Sequence, residues 1–343
     1  GCYESCLIYW KIFKRKIRLM SLILKIDNTH EGKRLDVFLS EKLNLSRAKA
    51  QGMIENKYVK VNNFFKSKSY KLKLNDLVEI FDGFSSESEE NKLLIPQNIP
   101  IEIIYKDEHL VVLSKPANMV VYPCAGHRDG SLLNALAYHV KKLATAGAPL
   151  RPGVVHRLDK DTSGVIVIAI DDNAYYGLVE AFKKRQVNKE YIALVYGELK
   201  GSGRITLPIG RAIYDRKKMS TRAKKSKEAI TEWEVIKNFK NYTLVKVKII
   251  TGRTHQIRVH FSAIGHPVIG DRTYGKKTYI ELGKQKIPVL RQMLHAWRIE
   301  FNHPITGQHL KFESSLPEDM EKIIEILTLS VKPPKVFNKG LKN

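Results

Sequence analysis

Cysteine is scarce in this chain of 343 residues: there are three, Cys2, Cys6 and Cys124. None forms a C-x-x-C pair, so neither a zinc site nor a disulfide framework is expected, and a reducing cytosol fits. No apolar run approaches the roughly 18 residues a membrane helix needs, so no membrane partner is expected. The glycine-containing stretch GHPVIGDRTYG lacks the G-x-G-x-x-G and G-x-x-x-x-G-K-[ST] spacings of nucleotide sites and reads as a shaped turn. Negative charge is also short. Lys and Arg number 59 against 35 Asp and Glu, a net charge of +24. A field of that size draws polyanions by steering and counterion release. A composition rich in Lys, Ile and Asn gives the same excess without any function, so charge alone does not decide for nucleic acid.

What is present suffices for a folded protein. At 43 % hydrophobic residues the chain can bury a real core, and its length suits two domains. Residues 1–22 read as a leader or an extension from an upstream start, with Met20 the natural beginning. Their apolar patch precedes the basic cluster, the reverse of a secretory signal. Residues 23–82 read as a small module. In EGKRLDVFLSEKLN, Leu35, Val37, Phe38 and Leu43 give a helical apolar face. Ser46 is placed to cap a second helix, SRAKAQGMIEN. YVKVNN and YKLKLNDLVEIF alternate as half-buried strands do, so the order is helix, helix, strand, strand. Residues 83–95 form a linker, opened by the acidic, Ser-rich run from Asp82 to Lys92.

A larger α+β domain is expected over residues 96–330. IEIIYKDEHLVVLSKP predicts two short strands, and GVIVIAI at 164–170 a strand buried on both faces. DDNAYYGLVEAFKKRQ predicts a capped helix and EYIALVYGEL a further strand. TEWEVIKNF and YTLVKVKII predict a hairpin around Lys240 and Asn241. THQIRVHFSAIG looks helical, and PEDMEKIIEILTL closes the domain with Pro317 in its first turn. Residues 331–343 are a basic tail.

Polar groups crowd into HRLDKDTSG, between a strand expected before it and the buried strand after it, a usual base for a catalytic loop. Asp159 stands there between Arg157 and Lys160, whose charges favour the carboxylate and fit it to act as a nucleophile. The bland alternative is a turn whose Asp and Ser bond their own backbone. TGRTHQIRVH places Arg253 at a strand-to-helix junction. His255 and Arg258 lie three apart on one face, while His255 and His260, five apart, do not share one for a metal. For both histidines structural hydrogen bonding is the preferred reading. RAIYDRKKMSTRAKKSK reads as a basic loop suited to phosphate contacts.

PGVVHRLDKDTSG resembles the signature of the RluA-type pseudouridine synthases, and TGRTHQIRVH with GHPVIGDRTYG resembles that family's later motif. KPANMVVYP, DGSLLNALAYH, KEYIALVYG, PIGR with DRKKM, and LHAWRIEFNHPITG follow its pattern in order, over residues 98–316. The N-terminal RLDVFLSEKLNLSRAKAQGMIENKYVKVNN is similar to the RNA-binding domain named after ribosomal protein S-four. The resemblance implies a mixed, mostly antiparallel central sheet with flanking helices, plus a small helix-helix-strand RNA-binding domain. It implies Asp159 as the catalytic carboxylate, Tyr191 packed against the flipped uracil, and Arg253 paired with the aspartate. Arg157 would enter the RNA helix where the base leaves. Arg34, Ser46, Arg47 and Lys49 in the small domain, and Arg216, Lys217 and Lys218 in the basic loop, would contact RNA. No cofactor or metal is implied. The implied protein is a cytoplasmic monomer acting on large-subunit ribosomal RNA, with tRNA as runner-up. Asn118 and Tyr122 stand where the family commonly has Gly and His, and VNN and LND where VNG and GD are typical.

The chemistry agrees. Isomerising uridine breaks a C–N glycosidic bond and makes a C–C bond, which one carboxylate can serve. The base must leave its stack and be held against a ring while a cation supports the strand. A glycoside hydrolase using Asp159 and Asp161 is the rival enzyme reading, but it has no use for +24 of charge. An RNA-binding assembly factor without catalysis is the non-enzyme rival, against which Asp159, Tyr191 and Arg253 argue.

Overall fold

The computed structural model describes residues 21–43, 45, 47–81, 94–124, 126–148, 151–213, 215, 218–275 and 277–330. The chain divides into two compact units, Gly1–Lys92 and Leu93–Asn343. The expectations for residues 1–20, for the linker over 82–93, for the tail and for Ser46 as a cap lie outside the described residues.

In the first unit β1 (Ser21–Lys25) is followed by α1 (Leu35–Lys42), α2 (Arg47–Glu55), β2 (Val59–Val61) and β3 (Leu77–Phe81). The helix, helix, strand, strand order is there, with a strand ahead of it that alternation did not predict. SLILK carries three consecutive apolar residues rather than a period of two. It becomes a strand by pairing antiparallel with β3, whose other edge takes β2. The α1 face also differs from the expected one. Leu35, Phe38 and Leu39 are buried with Val59, Val61, Val78 and Ile80, while Val37 is only half-buried. Asp36 is buried on that helix, because it has cationic partners described below.

The second unit is built on a sheet of nine strands. Its elements before the main motif are β4 (Glu102–Lys106), β5 (Leu110–Lys115) and α3 (Leu132–His139). Ser131 and Asn134 cap α3 reciprocally, each side chain taking the other's backbone N–H. Then come β6 (Ser163–Ala169), α4 (Asp172–Lys183), β7 (Asn188–Tyr196) and β8 (Ser202–Ile205). The short strands β9 (Ile209–Arg211), β10 (Met219–Ser220) and β11 (Ser226–Lys227) make a small separate sheet. The hairpin β12 (Thr231–Phe239) and β13 (Tyr242–Ile249) precedes α5 (Gln256–Ala263). A second hairpin, β14 (Tyr279–Leu282) and β15 (Gln285–Pro288), leads to β16 (Leu294–Asn302), β17 (His309–Glu313) and α6 (Glu318–Ser330). The large sheet runs β4-β5-β6-β16-β7-β13-β12-β8, with β17 added to β16. Every pairing is antiparallel except β6 with β16, so the sheet is mixed and mostly antiparallel, and the fold is α+β.

Two findings depart from expectation and place the site. No full strand leads into HRLDKDTSG. Only Val154 bridges to Ile168, and two residues on the His156 Nε2 takes the N–H of Val167 at 3.0 Å in place of a backbone carbonyl. The helix predicted from Thr254 begins at Gln256, because His255 adopts a left-handed conformation (φ 57°) and turns its side chain out of helical register.

β6 is buried along its whole length, and at its start the backbone of β16 comes very close. At Gly164 φ is 114°, and a Cβ there would lie 2.2 Å from the Ala296 carbonyl oxygen. Gly164→Ala should therefore cost about 2–4 kcal/mol through strain and overpacking. A fall in denaturant midpoint checks this, and an unchanged midpoint would show that β16 gives way freely.

Candidate active site

Asp159 stands in the loop before β6, and its side chain is four-fifths buried. Its Oδ2 accepts a hydrogen bond from Nη1 of Arg258 at 2.8 Å. The other donors of that guanidinium, Nε and Nη2, go to the two oxygens of Asp271 at 2.8 and 2.9 Å. Asp271 is fully buried and also accepts the backbone N–H groups of Thr273 and Tyr274. Burial by itself would raise its pKa, but these donors, Arg258 first, hold the carboxyl below the usual range. Arg258 thus links two carboxylates in a fixed plane, one wholly internal and one open to a cavity.

The histidine beside this pair completes the setting. His255 Nε2 lies 3.8 Å from Asp159 Oδ1, and its Nδ1 is 2.7 Å from the Tyr274 hydroxyl. That hydroxyl also accepts the N–H of Met219, which ties the His255 ring to the strand β10. Burial lowers the His255 pKa against the pull of Asp159, which favours the neutral ring.

The pairing expected of Arg253 belongs to Arg258, and the physical reason is the local turn. The left-handed His255 separates the two arginines, and Gln256 fixes the turn by accepting from Thr251 Oγ1 and the Arg253 N–H. The Arg253 side chain is directed to the Glu228 carbonyl, to which Nε donates at 2.9 Å. Arg253 still lines the cavity. The structural reading of His260 holds: it bonds Thr231 and the Leu207 carbonyl. In the sequence Arg258 is marked only as a face-mate of His255, and Asp271 only as part of a turn. The signal available was an arginine and an aspartate thirteen apart in the two motifs already joined by resemblance.

The cavity in front of Asp159 has a volume of about 620 Å3 and brings together Arg157, Asp159, Lys189, Tyr191, Arg253 and Arg258. A smaller one of about 280 Å3 adjoins it, sharing Arg157, Asp159, His255 and Arg258. Tyr191 comes from β7 and is buried but for its approach to the cavity. Burial, and then Asp159, push its phenol well above the usual range, so it stays protonated. Lys189, two residues earlier on the same strand face, is pulled down to about 8 by burial. Arg157 is exposed and anchored to Tyr122, whose hydroxyl accepts from Nη1 at 2.9 Å. The departure at Tyr122 therefore supplies a partner for Arg157. Asn118 replaces the common Gly at a left-handed position (φ 61°), which Asn tolerates.

Backbone clamps hold the Asp159 loop. Lys115, fully buried, donates to the carbonyls of Pro116, Met119 and Lys160. Burial lowers its ammonium to about 7, opposed by Asp161 and Asp159, and the three carbonyls match the three donors of the charged form. Arg291 reaches the Asp161 carbonyl at 3.2 Å and is held from α6 by both oxygens of Asp319 at 2.6 and 2.7 Å. Gln292 donates to Thr162 Oγ1.

In the small unit, Arg34 grips the buried Asp36 with Nε and Nη2, Arg47 adds Nε, and Gln51 adds its amide. Both arginines keep further donors at the surface. The Lys49 side chain, Arg216 and Lys217 lie outside what is described. Lys218 is exposed, 3.7 Å from Asp215. Among the described residues no group of three His, Cys, Asp or Glu is arranged for a metal, and no helix is long and apolar enough to cross a membrane.

Residues 109–263 match the family RNA pseudouridylate synthase, and residues 33–78 match the S4 domain. The chain is 48 % identical over 233 residues to an uncharacterized RNA pseudouridine synthase of Aquifex aeolicus, covering 66 % of this chain and 73 % of that protein. It is 44 % identical over 239 residues to ribosomal large subunit pseudouridine synthase D of Zymomonas mobilis, covering 68 % and 75 %. Among solved structures it is similar to human RNA pseudouridylate synthase domain containing 1, at TM-score 0.52 and 25 % identity over 69 % of this chain and 98 % of that one. The chain belongs to the RNA pseudouridylate synthase family. It is an RNA pseudouridine synthase with an S4 domain at its N-terminal side.

Because Arg291 meets the Asp159 loop only through the Asp161 carbonyl, its effect on turnover should come through position. Arg291→Met should lower kcat about ten- to a hundredfold, since small misplacements of reacting groups cost that much. Asp319→Asn, which keeps one oxygen acceptor, should do less. Single-turnover rates at saturating RNA check this; wild-type kcat in Arg291→Met would show that the loop holds itself.

Proposed function

We propose that this enzyme isomerises uridines of large-subunit ribosomal RNA in the cytoplasm, as a monomer, with Asp159 as the catalytic carboxylate. The observation that carries the reading is Asp159 at the cavity wall, held by Arg258 and sharing that cavity with Tyr191. The target rests on relatives named ribosomal large subunit pseudouridine synthase D, each matched over two thirds or more of its length. In the reaction the carboxylate attacks or stabilises the sugar as the C–N bond breaks. Uracil turns, C5 bonds to C1′, the C5 proton leaves to solvent, and N1, freed from C1′, takes up a proton. The RNA is rearranged with no net gain or loss of atoms other than that proton exchange.

Asp159→Asn keeps the hydrogen bond acceptor toward Arg258 and removes the charge. It should fold, bind RNA and release no tritium from uridine labelled at C5; substantial turnover in a verified Asn variant sinks the assignment. Mapping pseudouridines in total RNA with and without the gene tests the target, and loss confined to tRNA would overturn it.

Tyr191 gives the flipped base a ring and a neutral phenol, and Arg157 fills the vacated stack. Tyr191→Phe keeps the ring, so binding should persist while turnover falls about a hundredfold or more, the usual size of a lost proton-handling group. Arg157→Ala should harm structured RNA more than an unstacked oligonucleotide. Equal harm on both would reduce its role to charge attraction. Arg253, bonded to the Glu228 carbonyl beside the cavity, is assigned to holding the strand rather than to the carboxylate.

The S4 domain, with Arg34, Arg47 and Lys49, and the basic loop with Lys218 are assigned to phosphate contacts. Tethering a second RNA surface raises apparent affinity through effective concentration. Removing residues 1–92 should weaken binding, most visibly at higher salt, and leave the rate at saturating RNA intact. Loss of maximal rate with affinity kept would place the unit in the active site.

A further inference from the structure

The turn after β2 displays two large aromatic side chains that the hydrophobic core does not use. Phe64 is 67 % exposed and Phe65 49 % exposed. The turn itself is tightly fixed. Val61 and Phe64 exchange backbone hydrogen bonds, 2.8 and 3.0 Å, across Asn62 and Asn63, which are both left-handed (φ 52° and 66°). The Asn62 side chain donates to Asp76 and accepts the N–H of Leu77, which ties the turn to the start of β3. A pre-set turn spends little ordering entropy when it meets a partner.

Cations surround these rings. Lys60 Nζ lies 5.0 Å from the Phe65 ring centre and 5.1 Å from that of Phe81. Lys57 stands 5.8 Å from Phe65, and Lys66 stands 5.4 Å from Phe64 and 5.3 Å from Tyr70. The arrangement alternates rings and ammonium groups over one surface of a chain with net charge +24. A protein groove would need the apolar rings without the charge, and a duplex would need the charge without the rings. Rings interleaved with lysines suit unpaired RNA: each base stacks on a ring while a flexible lysine swings to the adjoining phosphate.

We propose that Phe64 and Phe65, with Lys57, Lys60 and Lys66, form a stacking platform for unpaired RNA bases. The proposal rests on the RNA-binding reading of the S4 domain and adds the class of RNA that this surface takes. Two full-length double variants test it by filter binding, against an unpaired oligonucleotide and a duplex of equal length. Phe64→Leu with Phe65→Leu keeps apolar bulk and removes the rings. It should lose about tenfold or more in affinity for the unpaired strand and little for the duplex. Phe64→Tyr with Phe65→Tyr keeps the rings and should bind both as the native protein does. The proposal is overturned if the Leu variant binds unpaired RNA normally, if it loses both RNAs equally, or if the Tyr variant fails like the Leu variant. Wild-type tritium release, measured on the same preparation, reports the synthase reading independently, so its failure and the failure of the platform are told apart.

Discussion

The site depends on one guanidinium with two carboxylates. Arg258 is committed to Asp271 by a two-bonded fork, and only its remaining nitrogen is free to meet Asp159. Because Asp271 is wholly internal and is also held by two backbone N–H groups, the arginine cannot follow Asp159 if that side chain moves. A buried pair of this kind is poor evidence of stability, since desolvating both charges offsets most of their attraction. What it supplies is position. Asp159, proposed above as the catalytic carboxylate, is held against a support that does not relax, which is the condition for orientation to lower a barrier.

The same condition explains how the surrounding backbone is treated. The loop from Asp159 to Thr162 joins no strand of its own; Thr162 closes it on the Asp159 carbonyl, and the next two carbonyls take partners from elsewhere. Lys115 takes Lys160, Arg291 takes Asp161, and Gln292 reaches the Thr162 hydroxyl. These come from β5 and from the approach to β16, which lie on either side of β6 in the sheet. Gly270 permits part of this: a Cβ there would sit 1.9 Å from the Arg291 carbonyl. The glycine of GHPVIGDRTYG therefore lets the arginine segment close over the loop, and the Asp that follows it holds Arg258.

The extent to which this was legible in the sequence differs by level. Elements with a strong local signal were readable: the apolar run of β6, the capped α4, and the β12–β13 hairpin with left-handed Asn241 at its turn. β1 was not, since its identity comes from an edge of β3 some fifty residues away. Asp159 and Tyr191 stand out by resemblance, but the cation on Asp159 is Arg258 rather than its chain neighbours Arg157 and Lys160. The pairing of Arg253 with Asp159 came from resemblance alone, and the left-handed His255 that gives the pairing to Arg258 is something no periodicity reveals. Lys115 and Arg291 were silent for another reason. They act on carbonyl groups, and every residue has one, so nothing in sequence marks which backbone a long cation will reach.

Across both units the chain uses lysine and arginine differently, and this gives the large positive charge its structure. Arginines at defined places are gripped by a carboxylate: Arg34 and Arg47 by Asp36, Arg258 by Asp271, Arg291 by Asp319. The planar fork makes that possible, since two donors can be spent on the carboxylate while another stays directed outward. Lysine has one rotating ammonium and cannot be both held and offered in this way, so at the surface it works as diffuse charge or as a mobile neighbour of a ring. An RNA enzyme needs both. Diffuse charge brings any strand to the surface at a rate set by salt, and carries no address. Arg34 and Arg47 can present their remaining donors only in geometries that the buried Asp36 permits. Selectivity for one uridine among many must then come from how the RNA fits those fixed points, and from how readily its base unstacks, rather than from the total of +24.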